Sequence, residues 1–75
     1  MSAAKQEVFL NKLSERIVEI RKSKGFTQEQ LAERAAIDRV ALANIETGRR
    51  RPTVITIYKL SAALQVNVHD FFNGL

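Results

Sequence analysis

The stretch from Thr27 to Gly48, TQEQLAERAAIDRVALANIETG, constrains this chain more than any other part of it. Apolar residues fall at Leu31, Ala32 and Ala35, then at Ile37, then at Leu42 and Ile45, with Asp38 interrupting between the two sets. That spacing predicts two short helices joined by a tight turn. Thr27 is suited to cap the first and Asp38 the second, because a short oxygen-bearing side chain can accept from a free N–H of the opening turn. Ala32 has no side chain beyond Cβ, so a second helix can cross close against the first. Ile37, Leu42 and Ile45 supply the apolar contacts that hold the crossing.

The flanking segments read as helices too. A first helix is predicted from Lys5 or Gln6 to Ser23, with Phe9, Leu13, Ile17 and Ile20 forming one apolar stripe. Val8, Leu10 and Val18 broaden that stripe and are assigned to core packing, with contact to a partner as the alternative for Val8 and Leu10. Glu15 and Glu19 precede Arg21, Lys22 and Lys24, which suits the helix dipole, and Gly25 is placed to end the helix. After Gly48, Pro52 blocks immediate continuation, and Thr53 caps a helix from Val54 to Leu64 whose inward residues are Ile57, Leu60, Ala63 and Leu64. Asn67 is expected to cap a fifth, short helix, Val68 to Asn73. The expected fold is therefore all-α: one compact five-helix domain over residues 1–75.

At 75 residues the core is marginal, and pairing of subunits would add buried surface. An apolar fraction of 45% with 27% charged residues argues against disorder. With no cysteine, disulfides and thiolate metal sites are excluded. The opening MSAAKQEVFLNK lacks the apolar run of a secretion signal, and the longest uncharged run, Leu60 to His69, is too short to span a bilayer. We therefore expect a soluble, cytoplasmic protein with no membrane partner. His69 is the one histidine; no carboxylate pair has a recognisable catalytic spacing, and there is no glycine-rich phosphate loop. The expectation is no enzyme, no cofactor, no metal and no small-molecule ligand.

The net charge of +4 is unevenly spread. Residues 1–38 carry seven basic against six acidic side chains, residues 39–59 carry five against one, and residues 60–75 carry only Asp70. The excess is local to the second helix of the central pair and the loop after it, a patch suited to a polyanion such as nucleic acid.

In these residues the chain resembles the lambda-repressor-like (Cro/cI, XRE-type) helix-turn-helix family. The resemblance rests on the TQEQLA opening with Gln28 and Ala32, the turn residue Ile37, the pair Leu42 and Ile45, the IETG ending at Glu46 to Gly48, and Pro52-Thr53 before the next apolar helix. It spans about Leu13 to Phe72 without gaps, with the helix-turn-helix at about residues 28–47. Two positions depart from the family pattern: Ala36 stands where glycine is usual in the turn, and Gln65 where glycine is common after the fourth helix. Because alanine does not adopt a positive φ cheaply, the turn is expected to be strained or differently shaped.

The resemblance implies sequence-specific binding of double-stranded DNA, with the third helix, predicted from Arg39 to Thr47, in the major groove. Arg39, Val40, Ala43, Asn44 and Thr47 share its outer face. Arg39 suits guanine O6/N7, Asn44 suits adenine N6/N7, Val40 suits a thymine methyl, and Ala43 keeps the surface narrow enough to approach. Gln28, at a helix N-terminus, is expected on a phosphate, as are Thr47 and the bend carrying Arg49, Arg50 and Arg51. Tyr58 and Lys59 are either further phosphate contacts or plain surface. The family also implies an ion pair between Glu46 and Arg21, and a homodimer on a palindromic operator. Residues 66–75 hold more apolar side chains than so short a terminus can bury, so Val66, Val68, Phe72 and Leu75 are the expected dimer contacts, with Phe71 in the core. Proteins of this size resembling the family include phage-type repressors, restriction–modification controller proteins and antitoxins. The competing expectation is a protein-interaction module, such as an antitoxin that binds a partner protein.

Overall fold

The computed structural model describes residues 2–75. Four α-helices and one 3₁₀ turn follow in order: α1 (Ala3–Ser23), α2 (Gln28–Ala35), α3 (Arg39–Glu46), α4 (Val54–Leu64) and the terminal turn Val68–Phe72. Helix boundaries follow the caps. The side chains of Thr27, Asp38 and Thr53 each accept from the N–H three residues on, and Thr27 and Gln30 complete a reciprocal capping box. At the end of α1, Phe26 N–H donates to the Arg21 carbonyl and Gly25 N–H to that of Lys22, a Schellman closure with Gly25 at φ +80°.

Three expectations about the elements need correction. The first helix starts at Ala3 rather than Lys5 or Gln6, because Ser2 accepts from Lys5 N and nucleates an extra turn. The third ends at Glu46, with Thr47 as its cap. The fifth element is a 3₁₀ turn ending at Phe72 instead of an α-helix to Asn73. Asn67 stands at its cap as expected, and the Asp70 carboxylate reaches back to accept from Asn67 N–H.

The core gathers Leu13, Ile17 and Ile20 of α1, Leu31, Ala32 and Ala35 of α2, Leu42 and Ile45 of α3, Ile57, Leu60 and Leu64 of α4, and Phe71. α2 packs on α3 and α4, while α1 packs on α3 and on the terminal turn. Ala32, 3% exposed, sits where its small side chain lets α3 approach α2. Phe9 leaves the expected stripe: it is 41% exposed and stacks on Phe72, with ring centroids 6.2 Å apart. Phe9 lies one turn N-terminal to Leu13, the first residue of α1 in the buried cluster, and so falls beyond the end of the core.

Ala36 and Gln65, the two departures from the family pattern, are the two non-glycine residues with positive φ, at +55° and +57°. Each follows a helix end closed in the same way: Ile37 N–H reaches the Ala32 carbonyl and Val66 N–H that of Ser61. The turn therefore keeps the shape that glycine would give it and carries strain of about 1–2 kcal/mol at each left-handed residue.

Candidate nucleic-acid interface

α3 is held from behind by a buried polar cluster. Arg21 of α1 forms a fork on Glu46, with Nε to Oε2 at 2.7 Å and Nη2 to Oε1 at 3.0 Å, and its Nη1 donates to the Phe26 carbonyl at 2.7 Å. Two parallel N–H···O bonds fix the angle between α1 and α3 as well as their spacing. The two side chains are only 10% and 3% exposed, so neither charge reaches far into solvent. Gln28 Nε2 donates to Glu46 Oε1 at 2.9 Å. One amide N–H of Gln28 is thereby spent inside the protein, and the other remains for a phosphate at the start of α2. A second tie, absent from the sequence reading, joins Ser14 Oγ to the Ile45 carbonyl at 2.8 Å. Its signal was a polar residue within the period of the α1 stripe, at i, i+3 and i+7 with Ile17 and Arg21.

The outer face of α3 is open. Arg39, Val40 and Thr47 are exposed and Ala43 and Asn44 half-buried, so the five residues expected on one face do share it. Val40 is 57% exposed. Among the described residues, neither the Arg39 guanidinium nor the Asn44 carboxamide has a hydrogen-bond or ionic partner, so both keep their full donor sets. Thr47 differs: its hydroxyl donates back to the carbonyls of Ala43 and Asn44, which leaves its lone pairs outward.

The arginine bend is tied to this helix by its backbone. Arg49 N–H and Arg50 N–H both donate to the Asn44 carbonyl, at 2.9 and 3.1 Å, and Gly48 turns the chain at φ +78°. A Cβ on Gly48 would lie 2.9 Å from Asn11 Oδ1, so the bend passes close to α1, and a side chain there would require Asn11 to swing away. Arg50 and Arg51, with Lys59 of α4, border a cleft of about 300 Å³ that runs from Asp38 and Ala41 to Thr53 and Thr56. Lys59 thus belongs with the bend, while Tyr58, 62% exposed, lies on the outer face of α4. With Glu46 buried against Arg21, Asp38 is the one acid among the residues lining this cleft, against Arg50, Arg51 and Lys59.

The residues expected at a dimer contact are placed unevenly. Val66 is half-buried against the core, and Val68, Phe72 and Leu75 are 39%, 37% and 37% exposed. Larger apolar exposures, overlooked in the sequence, occur on α4: Val54 at 84% and Ile55 at 62%. Their signal was a helix with one charge in eleven residues. Among the described residues no helix is long and apolar enough to cross a membrane.

Comparison with known proteins agrees with this architecture. Residues 17–71 match the family model HTH_3, helix-turn-helix, leaving the first two thirds of α1 outside the matched region. The chain is 46% identical over 48 residues to an uncharacterized HTH-type transcriptional regulator, y4dJ, of Sinorhizobium fredii, covering 64% of this chain and 62% of that protein. It is 36% identical over 62 residues to the HTH-type transcriptional regulator SinR of Bacillus subtilis, covering 81% and 56%. The chain spans 62%, 50% and 56% of the length of three such relatives. Among solved structures, the restriction-modification controller protein C.AhdI from Aeromonas hydrophila superposes with a TM-score of 0.82 at 35% identity, over 84% of this chain and 96% of that one. The controller protein C.Esp1396I, solved as a tetramer in complex with its natural 35 base-pair operator, superposes at 0.79 with 36% identity, over 85% and 84%. These relatives are regulators and controllers rather than enzymes, and with the matched region spanning α2, the turn and α3, this chain belongs to the XRE-type, lambda-repressor-like helix-turn-helix family.

Proposed function

We propose that this chain is a transcriptional regulator that binds double-stranded DNA in a sequence-specific manner, as a homodimer on a palindromic operator. The observation that carries the reading is the outer face of α3, where Arg39 and Asn44 stand open and unpartnered while the one acid of the segment is buried against Arg21. In this reading α3 enters the major groove. Arg39 and Asn44 pair with base edges, Val40 and Ala43 make the apolar contacts between them, and each good bidentate pair supplies about 1–3 kcal/mol of discrimination. Arg49, Arg50, Arg51 and the free N–H of Gln28 hold the backbone and set the register, joined by Thr47 once its hydroxyl turns from the α3 carbonyls to donate to a phosphate. Two copies on a palindrome place their α3 helices about 34 Å apart, one turn of DNA. Likeness to C.AhdI and C.Esp1396I supports a controller role in a restriction–modification system.

Selection of bound oligonucleotides from a random pool, at fixed salt, tests this reading. A two-fold symmetric consensus is the expected result, and failure to enrich any sequence overturns it. For the controller role, the DNA upstream of the chain's own coding region should compete with the selected consensus; absence of competition there removes that role alone. A protein-interaction module such as an antitoxin would instead carry an apolar outer face on α3, where this chain presents Arg39 and Asn44.

A further inference from the structure

We infer that the cleft between α3, the arginine bend and α4 is a binding site for a nucleoside monophosphate, and that this ligand competes with DNA for the bend. The first half stands on the cleft itself, and the second rests on the DNA-binding reading above. The cleft holds about 300 Å³, the lower end of the range for small-molecule sites, so it is sized for one mononucleotide. Its apolar lining comes from Ile37, Ala41, Ile45 and Pro52, and Ile45 is only 2% exposed, so the lining reaches down to the core. Arg50, Arg51 and Lys59 place three cations at the border. Among the described residues none of the three side chains has an ionic partner within the chain, so their charge is available to a ligand.

The cleft combines groups of opposite kinds, and that combination selects the ligand. A bare polyanion, whether inorganic phosphate or the backbone of a duplex, satisfies the three cations. It also meets the Asp38 carboxylate with like charge and leaves the apolar lining uncovered. Asp38 accepts from Ala41 N–H with Oδ2 at 3.0 Å, and no hydrogen bond within the described residues uses Oδ1, which is left to accept from an N–H or O–H. Thr53 and Thr56 lie at the other end of the cleft. Their hydroxyls bond each other at 2.9 Å, and whichever of them donates, the other keeps its O–H for an outside acceptor. The matching ligand carries an anionic group for Arg50, Arg51 and Lys59, a flat ring for Ile37, Ala41 and Ile45, and an amino or hydroxyl donor for Asp38. A nucleoside monophosphate has all three, in its phosphate, its base, and its ribose and amino groups. Arginine forks also suit a terminal phosphate, whose oxygens accept two parallel N–H bonds. Arg50 and Arg51 cannot hold this phosphate and the DNA backbone together, so occupancy of the cleft weakens binding to every DNA sequence alike.

Titration of the full chain with adenosine monophosphate, followed by the amide shifts of Ala41, Thr53 and Thr56, tests the assignment. Inorganic phosphate, adenosine and ribose phosphate at equal ionic strength are the controls. Adenosine monophosphate should bind at least about tenfold more tightly than any of them. Ala41→Leu, which fills the cleft, should abolish the shifts at Thr53 and Thr56. Asp38→Asn is read in its place should that variant unfold, since asparagine caps a helix as well as aspartate does. It should narrow the gap between the nucleotide and inorganic phosphate about tenfold, the effect of losing one bond to a charged group. At ten times its dissociation constant, adenosine monophosphate should raise the operator dissociation constant about tenfold, where inorganic phosphate at the same ionic strength does not. Equal affinity for inorganic phosphate and the nucleotide overturns the inference, because the cleft is then a seat for the DNA backbone alone. Nucleotide binding that neither Ala41→Leu nor Asp38→Asn alters overturns it too, and binding that leaves operator affinity unchanged overturns the competition. A chain that holds the nucleotide here but enriches no operator leaves the cleft standing and removes the regulator.

Discussion

α3 and α4 are neighbouring helices of similar length whose outer faces have opposite chemistry. Each buries leucine and isoleucine on one side. α3 turns Arg39, Asn44 and Thr47 outward, while α4 turns out Val54, Ile55 and Tyr58. α3 is also braced by polar bonds from α1, through Arg21 to Glu46 and Ser14 to the Ile45 carbonyl, whereas α4 receives no side-chain hydrogen bond from another helix among the described residues. The contrast teaches what each face requires. A surface that reads base edges must hold its angle to within fractions of an ångström, and directional bonds supply that. An apolar face such as that of α4 carries no directional demand: whatever covers it needs area and freedom from charge, and undirected side chains are sufficient.

The largest expected effect breaks the bracing. Glu46→Ala leaves the Arg21 guanidinium buried without its carboxylate and should cost about 3 kcal/mol in urea unfolding, with Arg21→Met added to it recovering most of the loss. Unchanged stability in the single variant would show that the fork on Glu46 does not hold α3. Next come the two roles assigned to the cationic surface. Arg39→Ala and Asn44→Ala should each relax preference at particular base pairs by about 1–3 kcal/mol, measured by competition among operator variants. Arg50→Ala should weaken all sequences alike and reduce the slope of log K against log salt by about 0.9. If Arg39→Ala behaved as Arg50→Ala does, the division between reading face and bend would fail.

The smallest effect concerns the two strained turns. Ala36→Gly and Gln65→Gly should each stabilise the fold by about 0.5–1 kcal/mol, because relief of the left-handed strain outweighs the entropy of the added glycine. A loss of stability on either substitution would show that the alanine or glutamine side chain makes a contact worth more than the strain.

Much of the fold was legible because its signals are local. Thr27, Asp38 and Thr53 bond N–H groups three residues away, so a short window of sequence places the starts of α2, α3 and α4. The strain at Ala36 and Gln65 was foreseeable at the first of these from the missing glycine. The terminal turn was less legible, since five residues are too few for periodicity to separate a 3₁₀ from an α-helical winding. At the interface, the outer residues of α3 followed from their spacing. The second bond of Gln28, to Glu46, did not, because its partner lies eighteen residues away.

By itself the sequence determined where the helices begin, which side of α3 is polar and how the charge is distributed, since each depends on neighbours along the chain. Tertiary structure alone decided that Phe9 leaves the core for Phe72, that Ser14 enters it to hold Ile45, and how far the outer side of α4 stays uncovered. In α4 the inward residues Ile57, Leu60 and Leu64 were legible from their spacing, but spacing does not tell how much of the apolar side chains of Val54, Ile55 and Tyr58 stays uncovered. That depends on what the fold brings against it: α2 and the terminal turn pack on the side of Ile57, Leu60 and Leu64 and leave Val54, Ile55 and Tyr58 exposed.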